Sequence, residues 1–161
     1  MKMRKSSREI TDRGVLLETI RSMDVIRLAF NDQGKIYIVP LNFGLSEEDG
    51  KIILYMHGAK AGRKKDLIEA NGYAAFEMDG NHQLVNNEIG CDHTFLFDSV
   101  IGDGKIEVLA DLEAKRNGLK VIMKGLTGRD DFPMPDKMIE ATDVFKLTVD
   151  EICGKHHDEN N

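Results

Sequence analysis

The residues best suited to chemistry lie in one stretch, His57-Gly58-Ala59-Lys60-Ala61-Gly62-Arg63-Lys64-Lys65, between the end of an apolar run and the start of a helical pattern. Its charge has the wrong sign for that place. A helix N-terminus carries partial positive charge, so Arg and Lys there are locally unfavourable by roughly a few tenths of a kcal/mol each. An anion reverses the balance: the unbonded N–H groups of the first turn, with Arg63, Lys64, Lys60 and His57, could hold a phosphate dianion. The same residues also make a solvated basic turn with Asp66 and Glu69 as partners, and the physics of the stretch leaves both readings open.

Two other stretches bear on binding. In Val39-Pro40-Leu41-Asn42-Phe43-Gly44 a proline interrupts a strand pattern; it cannot donate to a ladder, so Pro40 marks an edge or a bulge, where a planar ligand or plain solvent could lie. In Ser99-Val100-Ile101-Gly102-Asp103-Gly104 the glycines permit close approach of a ligand or another strand. The spacing is not that of a phosphate-binding glycine loop.

Other reactive side chains carry less. Cys91, His93 and His82 lack the four-ligand spacing of a zinc site, and no metal is expected. Cys91 reads as a buried small hydrophobe. Glu77, Asp79 and Glu88 read as a solvated rim.

The elements that must position these groups follow from periodicity. Thr11 or Asp12 caps a helix to about Met23. Strands are expected at Val25–Phe30, Ile36–Phe43, Lys51–His57, Tyr73–Met78, Phe95–Leu109 and Val144–Ile152, with turns at Asn31–Gly34 and Ser46–Gly50. Gly62 to about Ala70 is a short helix ended by Asn71-Gly72, and Asp111 caps another whose stripe is Leu112, Leu119, Ile122, Met123 and Leu126, with Gly118 inside it. Gly102 and Gly104 suggest a bulge or bend. Arg129–Asp136 reads as a loop, and residues 156–161 as a frayed polar tail. Consecutive strands with short turns suit an antiparallel barrel better than a doubly wound parallel sheet. The expected fold class is mainly β (α+β): a six-stranded antiparallel barrel with flanking helices, in a single domain spanning residues 1–161.

Composition sets outer bounds. A chain of 161 residues with 41% apolar content can bury about 70% of the surface its unfolded state exposes, so a full core is available without disulfides. The two cysteines are then expected to be reduced. A net charge of -6 argues against general nucleic-acid binding, which needs clustered Lys and Arg with little acid. Charged residues at the start run into Ser6-Ser7-Arg8-Glu9, with no apolar segment for a signal peptide or membrane span, so the cytoplasm is the expected location.

In order along the chain, Arg27-Leu28-Ala29-Phe30, Ile36 to Phe43, His57 to Lys64, Cys91-Asp92, Ser99 to Gly104 and Gly154-Lys155 resemble the pattern of the FMN-binding split barrels of the pyridoxamine 5'-phosphate oxidase-like superfamily. The nearest branch in pattern is the 5-nitroimidazole-resistance (Nim) reductases, and the resemblance runs from about Arg8 to Lys155. Gly58 stands where relatives often carry Ser, and His93 where an aromatic is common.

The resemblance implies a homodimer with one FMN in each of two clefts between subunits. Val39, Pro40, Leu41 and Asn42 would meet the isoalloxazine edge. His57, Gly58, Ala59, Lys60, Gly62, Arg63 and Lys64 would hold the ribityl phosphate, and Ser99, Val100 and Ile101 would line the cleft. His57 could touch the ring or phosphate, or position a substrate carboxylate; no catalytic side chain is assigned beyond it. Loops 81–93 and 127–135 would build the substrate cleft. The implied activity is FMN-dependent reduction of a small aromatic, nitroaromatic or quinone-like molecule with a reduced nicotinamide. The alternatives are a flavin or haem carrier or sensor, and pyridoxamine phosphate oxidation, which is disfavoured by the absence of an Arg-rich C-terminal motif.

Overall fold

A computed structural model of the chain describes residues 5–158. Its strands are β1 (Glu9–Ile10), β2 (Ile26–Asp32), β3 (Lys35–Leu41), β4 (Phe43–Glu48), β5 (Lys51–Ala59), β6 (Tyr73–Val85), β7 (Thr94–Val108) and β8 (Thr142–His157). The helices are α1 (Arg13–Arg21), α2 (Arg63–Asn71), α3 (Leu112–Thr127) and α4 (Asp136–Glu140). Caps fix the starts of α1 and α3. The Asp12 carboxylate accepts from Val15 N at 2.9 Å, and that of Asp111 from Ala114 N at 2.8 Å.

All the strands join one antiparallel sheet in the order β3-β2-β6-β7-β8-β5-β4, with β1 added against β8. The two edge strands, β3 and β4, are consecutive in the chain and separated only by Asn42. Opposite edges can be joined by one residue only if the sheet curls until they meet, so the sheet closes at Asn42 and splays elsewhere: a split barrel. The expected run Ile36–Phe43 therefore breaks in two. Asn42 Nδ2 donates to Asp24 O at 3.0 Å, tying the bend to the start of β2.

Other boundaries also move. The expected turn at Ser46–Gly50 shrinks to Asp49-Gly50, with φ of 49° and 76°, and the β2–β3 turn is Gln33-Gly34, with φ of 52° and 87°. Both are two-residue turns in which both central residues have positive φ, the geometry that matches strand twist. β6 continues to Val85 through a register shift between Gly80 and Gln83. A short α4 occupies the end of the proline loop, and β8 runs through His157. The frayed tail is thus corrected at its first two residues: His157 is buried and its Nδ1 lies 2.9 Å from Phe95 O. Residues 159–161 lie outside the described residues.

The barrel interior is filled by Leu28, Phe30, Leu54, Met56, Phe76, Met78, Val100, Phe145 and Leu147, with Leu16, Leu17 and Ile20 of α1 and Leu67 and Ile68 of α2. A second cluster, Ile53, Tyr55, Ile122 and Val144, lies under α3 on the other side of the sheet. Strand β5 is buried on both faces, which is why its sequence is a continuous apolar run rather than an alternation. Gly118 serves this packing: a Cβ there would lie 2.8 Å from both Tyr55 Cδ1 and Val144 Cγ1. Among the described residues no helix is long and apolar enough to cross a membrane.

Candidate functional site

The basic stretch leaves β5 at Ala59 and enters α2 at Arg63. Gly62, the residue before the helix, has φ 124° and no side chain caps this end. A left-handed φ favours glycine; Lys65 N donates back to Gly62 O at 2.9 Å, so the uncapped first turn offers the N–H groups of Arg63 and Lys64 to an outside acceptor. The three consecutive cations of that turn point in different directions. Arg63 reaches the β2–β3 hairpin: Nε donates to Asp32 Oδ2 at 2.9 Å, Nη2 donates to the same oxygen, and the guanidinium lies 4.6 Å from the centre of the Tyr37 ring. Lys65 turns back to β8, 3.2 Å from Asp143 and 3.7 Å from Glu69.

Lys64 is different. Its ammonium lies over Gly58, 5.1 Å from the centre of the Phe145 ring. Burial pushes its pKa down and no carboxylate offsets that. His57 is also pushed down, first by desolvation and then by the Lys64 charge. The solvated-turn reading thus holds for Arg63 and Lys65, although the partners are Asp32, Asp143 and Glu69 rather than Asp66. It fails for Lys64, a half-buried cation facing a neutral imidazole. Beneath it, buried Asp143 stands between Lys65 and Lys115, whose Nζ donates to Thr142 O at 3.0 Å.

Phe43 pairs with Met56, and continuing that antiparallel register puts Asn42 opposite His57. Val39 and Leu41 turn inward against the core, while Pro40 is exposed on an edge strand, opposite Arg27. Ser99, Val100 and Ile101 are not brought to the turn: they pair with Lys155, Gly154 and Cys153 of β8, far along that strand from Val144 opposite His57. Val100 is fully buried in the core, so its side chain lines no cleft. Ile101 faces out, in the row Pro40–Arg27–Glu77–Ile101 across β3, β2, β6 and β7; three strand spacings put it about 14 Å from Pro40. The glycines after it serve strand pairing, since a Cβ on Gly102 would lie 2.5 Å from Glu151 O and one on Gly104 would overlap Thr148 O. The bulge they suggested is the β7–β8 register shift between Asp103 and Gly104.

Several contributors were not picked out from sequence: Asp32, Tyr37, Asp143 and Lys115. Only Tyr37, inside the strand motif, had a local signal. Cys91, read as buried, is exposed on a 3-10 turn over Gly90–Asp92, and the buried thiol is Cys153. Among the described residues no cluster of three or more His, Cys, Asp or Glu could hold a metal.

A cavity of about 600 Å³ lies elsewhere, between the end of α1, β4 and α3. Met23, Phe43, Leu45 and Val121 line it, with Gly128 and Asp130 of the 127–135 loop at its rim. It touches the site only where Phe43 follows Asn42.

A sequence profile for pyridoxamine 5'-phosphate oxidase matches residues 12–156. The chain belongs to the pyridoxamine 5'-phosphate oxidase family. Among solved structures, a candidate 5-nitroimidazole antibiotic resistance protein from Bacteroides thetaiotaomicron is 30% identical, with a TM-score of 0.79 over 91% of this chain and 85% of that one. A flavocytochrome from Azotobacter vinelandii is 22% identical, with a TM-score of 0.79 over 98% of this chain and 72% of that one. An FAD- and heme-binding protein from Mycobacterium smegmatis is 21% identical, with a TM-score of 0.79 over 94% of this chain and 74% of that one. The last two share the fold at an identity too low to carry function. No curated protein matches the chain.

Proposed function

We propose that this protein is a homodimeric, cytoplasmic flavoprotein oxidoreductase that holds FMN by its phosphate at the start of α2 and reduces a small aromatic substrate, nitroaromatic or quinone-like, with a reduced nicotinamide. The observation that carries this reading is the Lys64 ammonium, half-buried and without a carboxylate beside an uncapped helix start. A phosphate dianion is the complement that such a cation and such N–H groups lack. The residues fit the group: Gly62 leaves the turn open, Gly58 leaves room for Lys64, and His57 is held toward its neutral form, able to accept or donate one hydrogen bond. Membership of the family, and likeness to a protein ascribed to nitroimidazole resistance, support the nitroaromatic class.

Bound there, a flavin supplies the hydride and electron transfer. The chain's own residues hold and orient. Lys64 and the first-turn N–H groups fix the anionic end. Arg63 clamps α2 to the β2–β3 hairpin through Asp32 and Tyr37. The bend at Asn42 presents the end of β3 beside His57.

A second subunit completes the site in this reading. The outward face of β3, β2, β6 and β7 carries exposed isoleucines, Ile36 at 70%, Ile38 at 59% and Ile101 at 43%, with small Ala29 and Ala75 between β3 and β7 beside the Arg27–Glu77–Asp79 ion pairs. A face of that kind on a soluble chain calls for a partner. A copy of the chain docked there would supply, from its own β7, the Ser99 and Ile101 that one subunit keeps away from its turn.

The test is titration of flavin-free protein with FMN. Alanine at both Arg63 and Lys64 is expected to weaken FMN binding sharply while far-UV circular dichroism stays unchanged. Unaltered affinity would remove the phosphate site.

A further inference from the structure

We propose that Lys65 is a positioning residue for the phosphate turn: by saturating the buried Asp143 carboxylate it keeps that group from capturing the Lys64 ammonium, which stays free for a phosphorylated ligand. This rests on the phosphate reading above. Asp143 is 3% exposed and divides its charge between two ammoniums, Oδ2 lying 3.2 Å from Lys65 Nζ and Oδ1 3.7 Å from Lys115 Nζ. Oδ2 is buried and takes no hydrogen bond, so the Lys65 ammonium is what offsets its charge. A buried carboxylate oxygen stripped of that offset is strongly unfavourable and draws a cation within reach.

Lys64 is within reach. Gly58 pairs with Asp143 across β5 and β8, and side chains at directly opposed positions stand on one face with their Cβ atoms about 5 Å apart. The Lys64 ammonium occupies the place that a Gly58 side chain would take, so it stands on the face from which the Asp143 carboxylate rises. The two do not pair. Other groups are held or solvated: Lys115 stands at the other oxygen with its Nζ donating to Thr142 O at 3.0 Å, and Arg63 is bound to Asp32 and stacked on Tyr37. Glu69, the second acid near Lys65, is exposed to water and needs no cation. Lys64 is therefore the cation that moves to Asp143 if Lys65 is removed. The Lys65–Asp143 pair splits three neighbouring cations into two bound internally and one left for a ligand.

The experiment compares wild type, K64A, K65M, K65R and K65M/D143N, each flavin-free, by fluorescence titration with FMN and with riboflavin, which has the same ring and no phosphate, at low and at high salt. Thermal unfolding of the flavin-free proteins accompanies it. K65M is expected to weaken FMN by about tenfold, the scale of one charge-assisted hydrogen bond, at both salt concentrations, and to leave riboflavin unchanged. K65R keeps the charge pair and should bind FMN as wild type does. K65M/D143N should regain wild-type FMN affinity although it still lacks Lys65. Unaltered FMN affinity in K65M, equal loss of FMN and riboflavin, a loss that disappears at high salt as a screened through-space effect would, or no recovery in K65M/D143N would each overturn the role of Lys65 while leaving the phosphate site standing. If K65M unfolds early, K65M/D143N decides, since it buries no lone carboxylate: wild-type FMN affinity there supports the role, and a loss as large as that of K64A overturns it. Full FMN affinity in K64A, or a wild-type protein that binds riboflavin as tightly as FMN, overturns the phosphate reading and this inference with it.

Discussion

Lys64 and Arg63 are adjacent and chemically alike, yet their surroundings separate them. Arg63 is exposed and paired, whereas Lys64 is half-buried, unpaired and pushed below the ordinary lysine value of 10.5 by desolvation. Only the ammonium form attracts a phosphate, and a bound dianion would raise the pKa again, so the sign of the pH effect is fixed. Above about pH 7, where the phosphate is a dianion, FMN affinity is expected to fall as pH rises through the depressed Lys64 pKa. The fall should come at lower pH than a free lysine would give. The Lys64→Arg variant, which keeps its charge throughout, should flatten that profile. A wild-type profile as flat as the variant's would contradict the role given to Lys64. The basic stretch was legible in sequence because its charge opposed the helix dipole. Which cation was free was not, because Asp32, Asp143 and Tyr37 reach the turn from other strands.

At the scale of elements, periodicity located six of the eight strands and three of the four helices but not β1, β4 or α4, and the larger errors fall where tertiary structure overrides local pattern. Asn42 carries no turn dipeptide, yet barrel closure bends the chain there and splits one strand pattern into β3 and β4. Residues 79–85 lack a clean alternation because β6 passes a register shift at Gly80, where Asn81 takes a φ of 55° and its side chain bonds Asp98. Gly118 looked like a defect in α3, costing roughly 1 kcal/mol against Ala. It is the contact at which α3 lies on Tyr55 and Val144. Gly118→Ala is therefore expected to lower stability in urea unfolding, by about 1–3 kcal/mol for overpacking, although the same change in an exposed helix would raise it. A gain in stability would mean that α3 does not sit so close to β5.

At the scale of the whole molecule, one barrel keeps the proposed phosphate site and the Ser99–Ile101 segment on different parts of its surface, and the proposed two-fold assembly would bring such parts together. An exposed isoleucine in a monomer tolerates a polar replacement within about 0.5 kcal/mol, so Ile38→Asp separates the two cases. Light scattering should find wild type at twice the 18.1 kDa chain mass and the variant at the chain mass, with loss of bound flavin. A wild-type monomer that still binds FMN would confine the site to one subunit.

The most direct measurement is the visible spectrum of the purified protein, with the released cofactor identified after denaturation and the native protein then mixed anaerobically with NADH or NADPH. The account predicts a flavin spectrum, FMN on release, and bleaching by a nicotinamide. A colourless protein that takes up no added FMN, or one that releases haem instead, would contradict it.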